Sequence, residues 1–323
     1  MRRRAVFRSA FVAATMTAGI FASSGGPVHA ADARPDVEYN FTAGFLKGVF
    51  TPGEAPPGAD DWNCRPTAAH PDPVVLIHGT LENMNDMWRG AAPLLADNGY
   101  CVFAFDHGGA SPTAPFQGVG RMEDSAAVLA AFVDRVRAAT GAAQVDLVGH
   151  SLGGGPVPRY YLKHFPGAAA KVGKLVGITP SNHGTTLDGL TELGRALHLL
   201  EPVDALLEHD YPALVEQEVG SDFNRALDAG GDTVPGVDYT VIATRFDEVV
   251  TPYTNAFLTA GPGATVHNIT VQDGCGLDAT DHLEASYDPV VLTHVLNALD
   301  PAHPRPVRCR AVLPLTGPIG PVD

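Results

Sequence analysis

The chain has 323 residues, 21 of them basic and 36 acidic, a formal net charge of −15 and 45% hydrophobic residues. That length allows one large core, near the upper size of a single domain. The acidic balance argues against nucleic acid as a partner and disfavours broad adhesion to anionic membranes.

Residues 1–30 read differently from the rest. Arg2, Arg3, Arg4 and Arg8 form a basic head, Ala10 to Ala22 is mostly apolar, and Val28-His29-Ala30 offers a cleavage site. This pattern predicts a secretory signal removed after Ala30, with the Sec and twin-arginine routes both open. The apolar run is too short and interrupted for a membrane span. The exported chain, 31–323, is expected to be a secreted monomer with a single domain and no transmembrane segment. It keeps 17 basic against 36 acidic residues, a net charge of −19. Its four cysteines, Cys64, Cys101, Cys275 and Cys309, are even in number and follow an oxidising route, which predicts two disulfides. No CxxC pair points to a zinc site. Pairing sequence neighbours gives Cys64–Cys101 and Cys275–Cys309.

Residues 31–72 read as an irregular arm, with Phe41, Phe45, Leu46, Val49 and Phe50 available to seat it. Pro73 to Ile77 is a continuous apolar run of strand length, as a strand covered on both faces requires. His78-Gly79-Thr80 follows it. A helix is expected over 84–98, stopped by Gly99. Cys101 to Phe105 is a second strand, and Glu123 to Ala139 a helix with Val128, Phe132 and Val136 on one face. Gln144 to Val148 leads into Gly149-His150-Ser151-Leu152-Gly153. Further strands are expected over Lys174–Thr179, Tyr239–Ala243 and, as the last, Val266–Val271. A closing helix spans Asp288–Leu299, and a proline-rich tail follows. Residues 181–235 break the strand–helix rhythm. They contain helical stretches at Leu190–Leu200 and Tyr211–Leu227 and read as a cap-like insertion. The alternation predicts an α/β fold with a mostly parallel central sheet and helices on both faces.

Gly149 to Gly153 matches the G-x-S-x-G elbow, in which a tight strand-to-helix turn pushes a serine outward and leaves no room for side chains at the flanking glycines. Ser151 is therefore the candidate nucleophile. A serine hydroxyl needs a base to take its proton, and the base needs a carboxylate on its far nitrogen. In this arrangement the acid and then the histidine follow the serine in the chain, in loops beyond strand ends. His164, His183 and His198 come too early, His267 lies inside a strand and His294 inside the closing helix. His282 fits best. Asp247 follows the Tyr239–Ala243 strand and is favoured by position, with Glu248 its immediate rival and Asp278 and Asp281 also near His282. Oxyanion donors are expected from the Leu152 backbone and from Thr80, with His78 holding the Thr80 loop.

These stretches resemble the secreted class 2 triacylglycerol lipases of actinobacteria and, more distantly, yeast lipase B. The likeness rests on Val75–Thr80, Gly149–Gly154, Pro158–Lys163, Pro180–Thr185, Ala243–Tyr253 and Asp281-His282, and spans roughly 60–300. It implies an α/β-hydrolase fold and hydrolysis of acyl glycerols or other esters without a cofactor or metal, at a lipid–water interface where the substrate aggregates. It assigns the nucleophile to Ser151, the acid to Asp247, the base to His282 and the oxyanion donors to Thr80 and Leu152. Two features depart from the pattern. Leu152 stands where glutamine is common, and Pro156, lacking an N–H, is expected to loosen or shift the first turn of the elbow helix. Alternatives are an esterase for short-chain or polyester substrates, or an inactive hydrolase fold that binds apolar ligands.

Overall fold

The computed structural model describes residues 36–186 and 211–322. The expected signal sequence, the helix expected over Leu190–Leu200 and His198 lie outside the described residues.

Six strands form one sheet: β1 Val74–Ile77, β2 Val102–Phe105, β3 Val145–His150, β4 Val172–Ile178, β5 Asp238–Ala243 and β6 Thr265–Thr270. The order is β2-β1-β3-β4-β5-β6, and every pair is parallel. Successive side chains on a strand point to opposite faces. Val75 and Ile77 of β1 therefore join one core cluster while Val74 and Leu76 join the other. Both faces are covered, so β1, β2 and β3 are buried along their whole length. This is why β1 and β2 read as uninterrupted apolar runs rather than alternating ones, while β3 buries Asp146 and His150 among apolar neighbours. The first face packs on α4 Met122–Thr140 and α5 Pro156–His164. The second packs on α3 Ala91–Asp97 and α9 Pro289–Leu299. β6 closes one edge and is mostly exposed.

Several expectations change in detail. The arm contains a helix, α1 Phe41–Gly48, because the Asn40 side chain caps it by accepting from the Ala43 amide. Phe41 and Val49 are buried and seat it, while Leu46 and Phe50 remain exposed. The helix expected over 84–98 is two: α2 Met84–Met87, closed by an Asn83–Asp86 capping box, and α3, which starts after Gly90. Gly90 cannot carry a side chain there, because its Cβ would lie 2.7 Å from the Glu38 carbonyl. Tyr211–Leu227 likewise divides into α6 Pro212–Glu216 and α7 Asp222–Asp228, the latter capped by Ser221. The strand expected over Val266–Val271 ends at Thr270, and α8 Val271–Gly274 follows directly. It is not the last, since the tail forms a small hairpin of β7 Val312–Leu313 and β8 Gly317–Pro318. Two-residue strands are too short to show a hydrophobic period. Both disulfides join the neighbours, Cys64 to Cys101 and Cys275 to Cys309. The first ties the arm to the start of β2, the second holds the tail against the loop after α8. Among the described residues no helix is long and apolar enough to cross a membrane.

Candidate active site

The sheet order reverses between β1 and β3: the chain leaves β1 toward β2 on one side and returns to β3 on the other. Loops leaving adjacent parallel strands at such a point diverge and open a crevice at their carboxyl ends. Thr80 follows β1, and Ser151 follows β3. Asp247 lies beyond the end of β5, and His282 in the loop between α8 and α9.

The turn at Ser151 is tight. Its φ is +53°, in the left-handed region that non-glycine residues seldom occupy. A Cβ on Gly149 would lie 1.9 Å from the Gly153 carbonyl oxygen, and one on Gly153 would lie 2.3 Å from the carbonyl oxygens of Ile77 and His78. Glycine at both positions is a packing requirement. Leu81 and Thr179 also have positive φ, +63° and +43°. Three of the five such non-glycine residues among those described thus lie in loops around the crevice, the distribution expected where backbone strain is stored at a functional site. Pro156, which lacks an N–H, stands at the start of the elbow helix, where that loss removes no intrahelical bond. Ser151–Gly154 forms a 3-10 turn, Gly155 breaks it, and α5 begins with Pro156 in its first turn. The Leu152 N–H lies in that first 3-10 turn, where helix geometry leaves amides without an intrahelical acceptor. Its side chain is fully buried in the core.

His282 is held from several sides. Its Nδ1 lies 3.0 Å from Asp247 Oδ1 and 3.1 Å from Oδ2. Its backbone N–H donates to Glu248 Oε2 at 3.3 Å. Its carbonyl accepts from the Thr179 hydroxyl at 3.3 Å and faces His150 Nε2 at 2.9 Å. Asp247 in turn accepts from the Val249 and Val250 amides at 3.0 and 2.7 Å, so its carboxylate is fixed before it meets the ring. Glu248 thus reaches the backbone of His282, whereas Asp247 reaches the imidazole. Burial opposes a charge on His282, but the Asp247 carboxylate and its hydrogen bond, together with the Glu82 and Glu248 charges, outweigh burial and hold the imidazole pKa above its ordinary value. Asp278 and Asp281 serve the loop itself, accepting from the Thr280 and Glu284 amides.

The Thr80 hydroxyl accepts from Gln217 Nε2 at 2.8 Å, and Gln217 Oε1 accepts from the Ser181 hydroxyl at 3.0 Å. Gln217 lies 137 positions from Thr80, so nothing local in the sequence points to it. It places a side-chain amide beside Thr80 from α6's end, although the position after Ser151 holds leucine. His78 does hold the Thr80 loop: Nδ1 meets the Gly79 carbonyl at 2.8 Å, and its ring stacks on His107 with centroids 4.2 Å apart. Two more residues escaped the sequence reading, Glu82 and His150. They form a buried pair, His150 Nδ1 to Glu82 Oε1 at 2.9 Å. Beside Thr80 lies a cleft of about 750 Å³ with Leu81, Ala110, Phe116, Val119, Tyr211 and Leu214 among its walls.

His183, set aside as too early in the chain, sits elsewhere. Its Nδ1 meets Asp228 at 2.9 Å, and Arg159 bonds Asp228 at 3.0 Å and the Asn182 carbonyl at 2.5 Å. Hydrogen bonds to Asp228 and Asp232 raise the His183 pKa to about 9. With Arg159 already among these carboxylates, the cluster is an ion-pair clamp rather than a vacancy for a cation.

A family model described as "alpha/beta hydrolase fold" matches residues 72–202. A non-heme haloperoxidase from Rhodococcus erythropolis is 36% identical over 108 residues, which are 33% of this chain and 37% of that protein. The crystal structure of Aspergillus fumigatus lipase B superposes with a TM-score of 0.57 at 19% identity, over 79% of this chain and 57% of that one. The chain thus spans well under two thirds of the length of either relative. The matched segment contains β1, β3, Thr80 and Ser151, and the parallel sheet with helices on both faces agrees with it. The chain has an alpha/beta hydrolase fold.

Proposed function

We propose that the chain is a secreted hydrolase of carboxylic esters, triacylglycerols among them, working through an acyl-enzyme on Ser151. The observation that carries the reading is the buried Asp247–His282 pair at 3.0 Å, set in the loops that follow an elbow with its serine at φ +53°. An imidazole with one nitrogen on a fixed carboxylate presents the other as a base. In the proposed reaction Ser151 Oγ bonds to the ester carbonyl carbon and passes its proton to His282. The oxyanion takes hydrogen bonds from the Thr80 and Leu152 backbone, with Gln217 steadying the Thr80 hydroxyl. The carbon–oxygen bond to the alcohol then breaks, and His282 gives the alcohol its proton. Water attacks the acyl-serine, His282 takes the water's proton, and the acid leaves as Ser151 recovers its own. No cofactor enters these steps. The apolar walls of the 750 Å³ cleft beside Thr80 suit an acyl chain. Two disulfides and the predicted signal sequence support export.

Labelling with a fluorophosphonate, followed by peptide mapping, tests the reading. One equivalent on Ser151 is expected, and a stoichiometric adduct elsewhere with Ser151 free overturns it. Rates over esters of rising acyl length, below and above their aggregation limits, then separate a triacylglycerol lipase from an esterase of short-chain or polyester substrates. Binding of apolar ligands with neither labelling nor turnover is the outcome for an inactive fold. Because the base must be neutral, the acid limb of kcat/KM is expected above the ordinary imidazole range, following the raised His282 pKa.

A further inference from the structure

The elbow histidine and the Glu82 carboxylate have no part in the steps above, yet both lie within the crevice wall and are almost wholly buried, at 0% and 4% exposure. Between them the polar atoms of the pair touch three segments of the chain. Glu82 Oε2 accepts from the Gly79 amide at 2.6 Å, immediately before Thr80. Its carboxylate meets His150 Nδ1 at 2.9 Å, immediately before Ser151. His150 Nε2 meets the carbonyl oxygen of His282 at 2.9 Å. Four residues thus link the loop after β1, the end of β3 and the loop before α9 in one continuous chain of contacts. Gly79 leaves the room for it: a Cβ there would lie 2.9 Å from Glu82 Oε2, 3.0 Å from Ser151 Cβ and 3.1 Å from His150 Nδ1.

The chemistry of the two ring nitrogens is constrained. A backbone carbonyl only accepts, so Nε2 must carry a hydrogen to bond His282. An ionised carboxylate also only accepts, so Nδ1 must carry one as well. The alternative, a neutral ring facing a protonated Glu82, would give up the attraction between opposite charges in a site that water does not reach. Glu82 favours the ionised state. Burial pushes its carboxyl up, but the charge and hydrogen bond of His150, with the Gly79 amide, bring it below its ordinary value.

We propose that Glu82 and His150 form a positioning pair that sets the spacing of the base, the nucleophile and the oxyanion loop. The proposal rests on the reading of His282 as the base and Thr80 as an oxyanion residue. Neither member of the pair touches the reacting atoms. Glu82 holds the Gly79 amide, which aims the Thr80 N–H. His150 holds the His282 carbonyl from one side while Asp247 holds the ring from the other. With both ends fixed, rotation of the imidazole away from Ser151 requires breaking a buried charge-assisted hydrogen bond. Displacement by about 1 Å at a reacting centre can cost on the order of 100-fold in rate.

The test has two arms. In the wild-type chain, His150 Nε2, its resonance assigned by its loss in His150→Gln, should carry a proton and show a scalar coupling across its hydrogen bond to the His282 carbonyl. Absence of that proton or coupling overturns the proposal, and this arm needs no activity. In the second arm, Glu82→Gln keeps the shape but removes the charge. It should still label at Ser151 with the fluorophosphonate, lower kcat on a soluble ester by about 100-fold and leave KM within about twofold. Glu82→Asp, which keeps the charge, should recover part of kcat. Unchanged kcat in Glu82→Gln, or an equal loss in Glu82→Asp and Glu82→Gln with both folded, also overturns it. Failure of wild-type Ser151 to label at all would instead remove the hydrolase reading, while the resonances of His150 would still report on the pair.

Discussion

The loop between Cys275 and Asp288 has two sides, and both bury carboxyl groups. On the side facing the crevice, Asp247 and Glu82 each meet an imidazole, at 3.0 and 2.9 Å. On the other side, Asp278, Glu284 and Asp288 meet backbone amides through one oxygen each, and the second oxygen of each is buried without a hydrogen-bond partner. Asp278 accepts from the Thr280 amide, Glu284 from Phe41 and Asp288 from Val290. Burial raises the carboxyls of both Asp278 and Asp288 above their ordinary values. Burial drives the Glu284 pKa to about 8, and burial with the neighbouring Asp278 charge drives Asp288 well above the ordinary carboxylate range. Burial is similar on the two sides. What differs is the imidazole partner, which Asp247 and Glu82 have and the acids of the other side lack.

The most damaging way to break this contrast is at the compensated side. Asp247→Asn keeps shape but can hydrogen-bond the wrong imidazole tautomer, and turnover on a soluble ester should fall by about 10⁴-fold. Steady-state kcat on a variant whose circular dichroism matches wild type checks it, and near-normal turnover would reassign the acid. The next largest effect is on the opposite side, where the Cys275–Cys309 bridge holds the loop's start to the tail at a sequence separation of 34. The double replacement Cys275→Ser, Cys309→Ser should cost about 3–4 kcal/mol by loss of loop closure. Denaturant unfolding measures it, and a change below about 1 kcal/mol would show that the tail is anchored by the β7–β8 hairpin instead.

The uncompensated acids also make a pH prediction. Glu284 has a folded pKa of about 8, above its value in an unfolded chain. Its contribution is therefore fully present below about pH 4.3 and is lost progressively as pH rises to about 8. Asp86, pushed by burial to about 9, acts in the same direction over a longer range. The His183 clamp has the same sign, since a histidine raised to about 9 loses its contribution as pH rises through that value. The melting temperature should fall from pH 6 to pH 9, and Glu284→Gln should flatten that fall. An equally steep fall in the variant would place the sensitivity at Asp86 or His183. The smallest effect belongs to Glu248, which meets the His282 amide without entering either pair. Glu248→Gln retains an acceptor for the His282 amide, so kcat should change by less than about fivefold, as for loss of charge from one hydrogen bond. A loss comparable to that of Asp247→Asn would mean that the Glu248 charge itself acts on the imidazole.

Much of the fold was legible because its signals are local. β1 and β2 are buried on both faces, which forces apolar runs, and Gly149 and Gly153 are forced by carbonyl oxygens closer than a side chain allows. Elements too short to show a period escaped: α1, the division of 84–98 into two helices and the β7–β8 hairpin. At the site, order along the chain singled out Ser151, Asp247 and His282 as candidates, and position left Glu248 as a rival of Asp247. The sequence by itself determined the strand pattern, the elbow glycines, the even cysteine count and the order of those candidates, because each follows from residue type or from neighbours a few positions away. Only the tertiary structure decided that Asp247 meets the ring while Glu248 meets the backbone, that Gln217 steadies Thr80, and that Glu82 reaches His150 across 68 positions. Those contacts depend on where separate loops converge at the carboxyl ends of the strands, and convergence at a distance leaves no period or spacing in the chain.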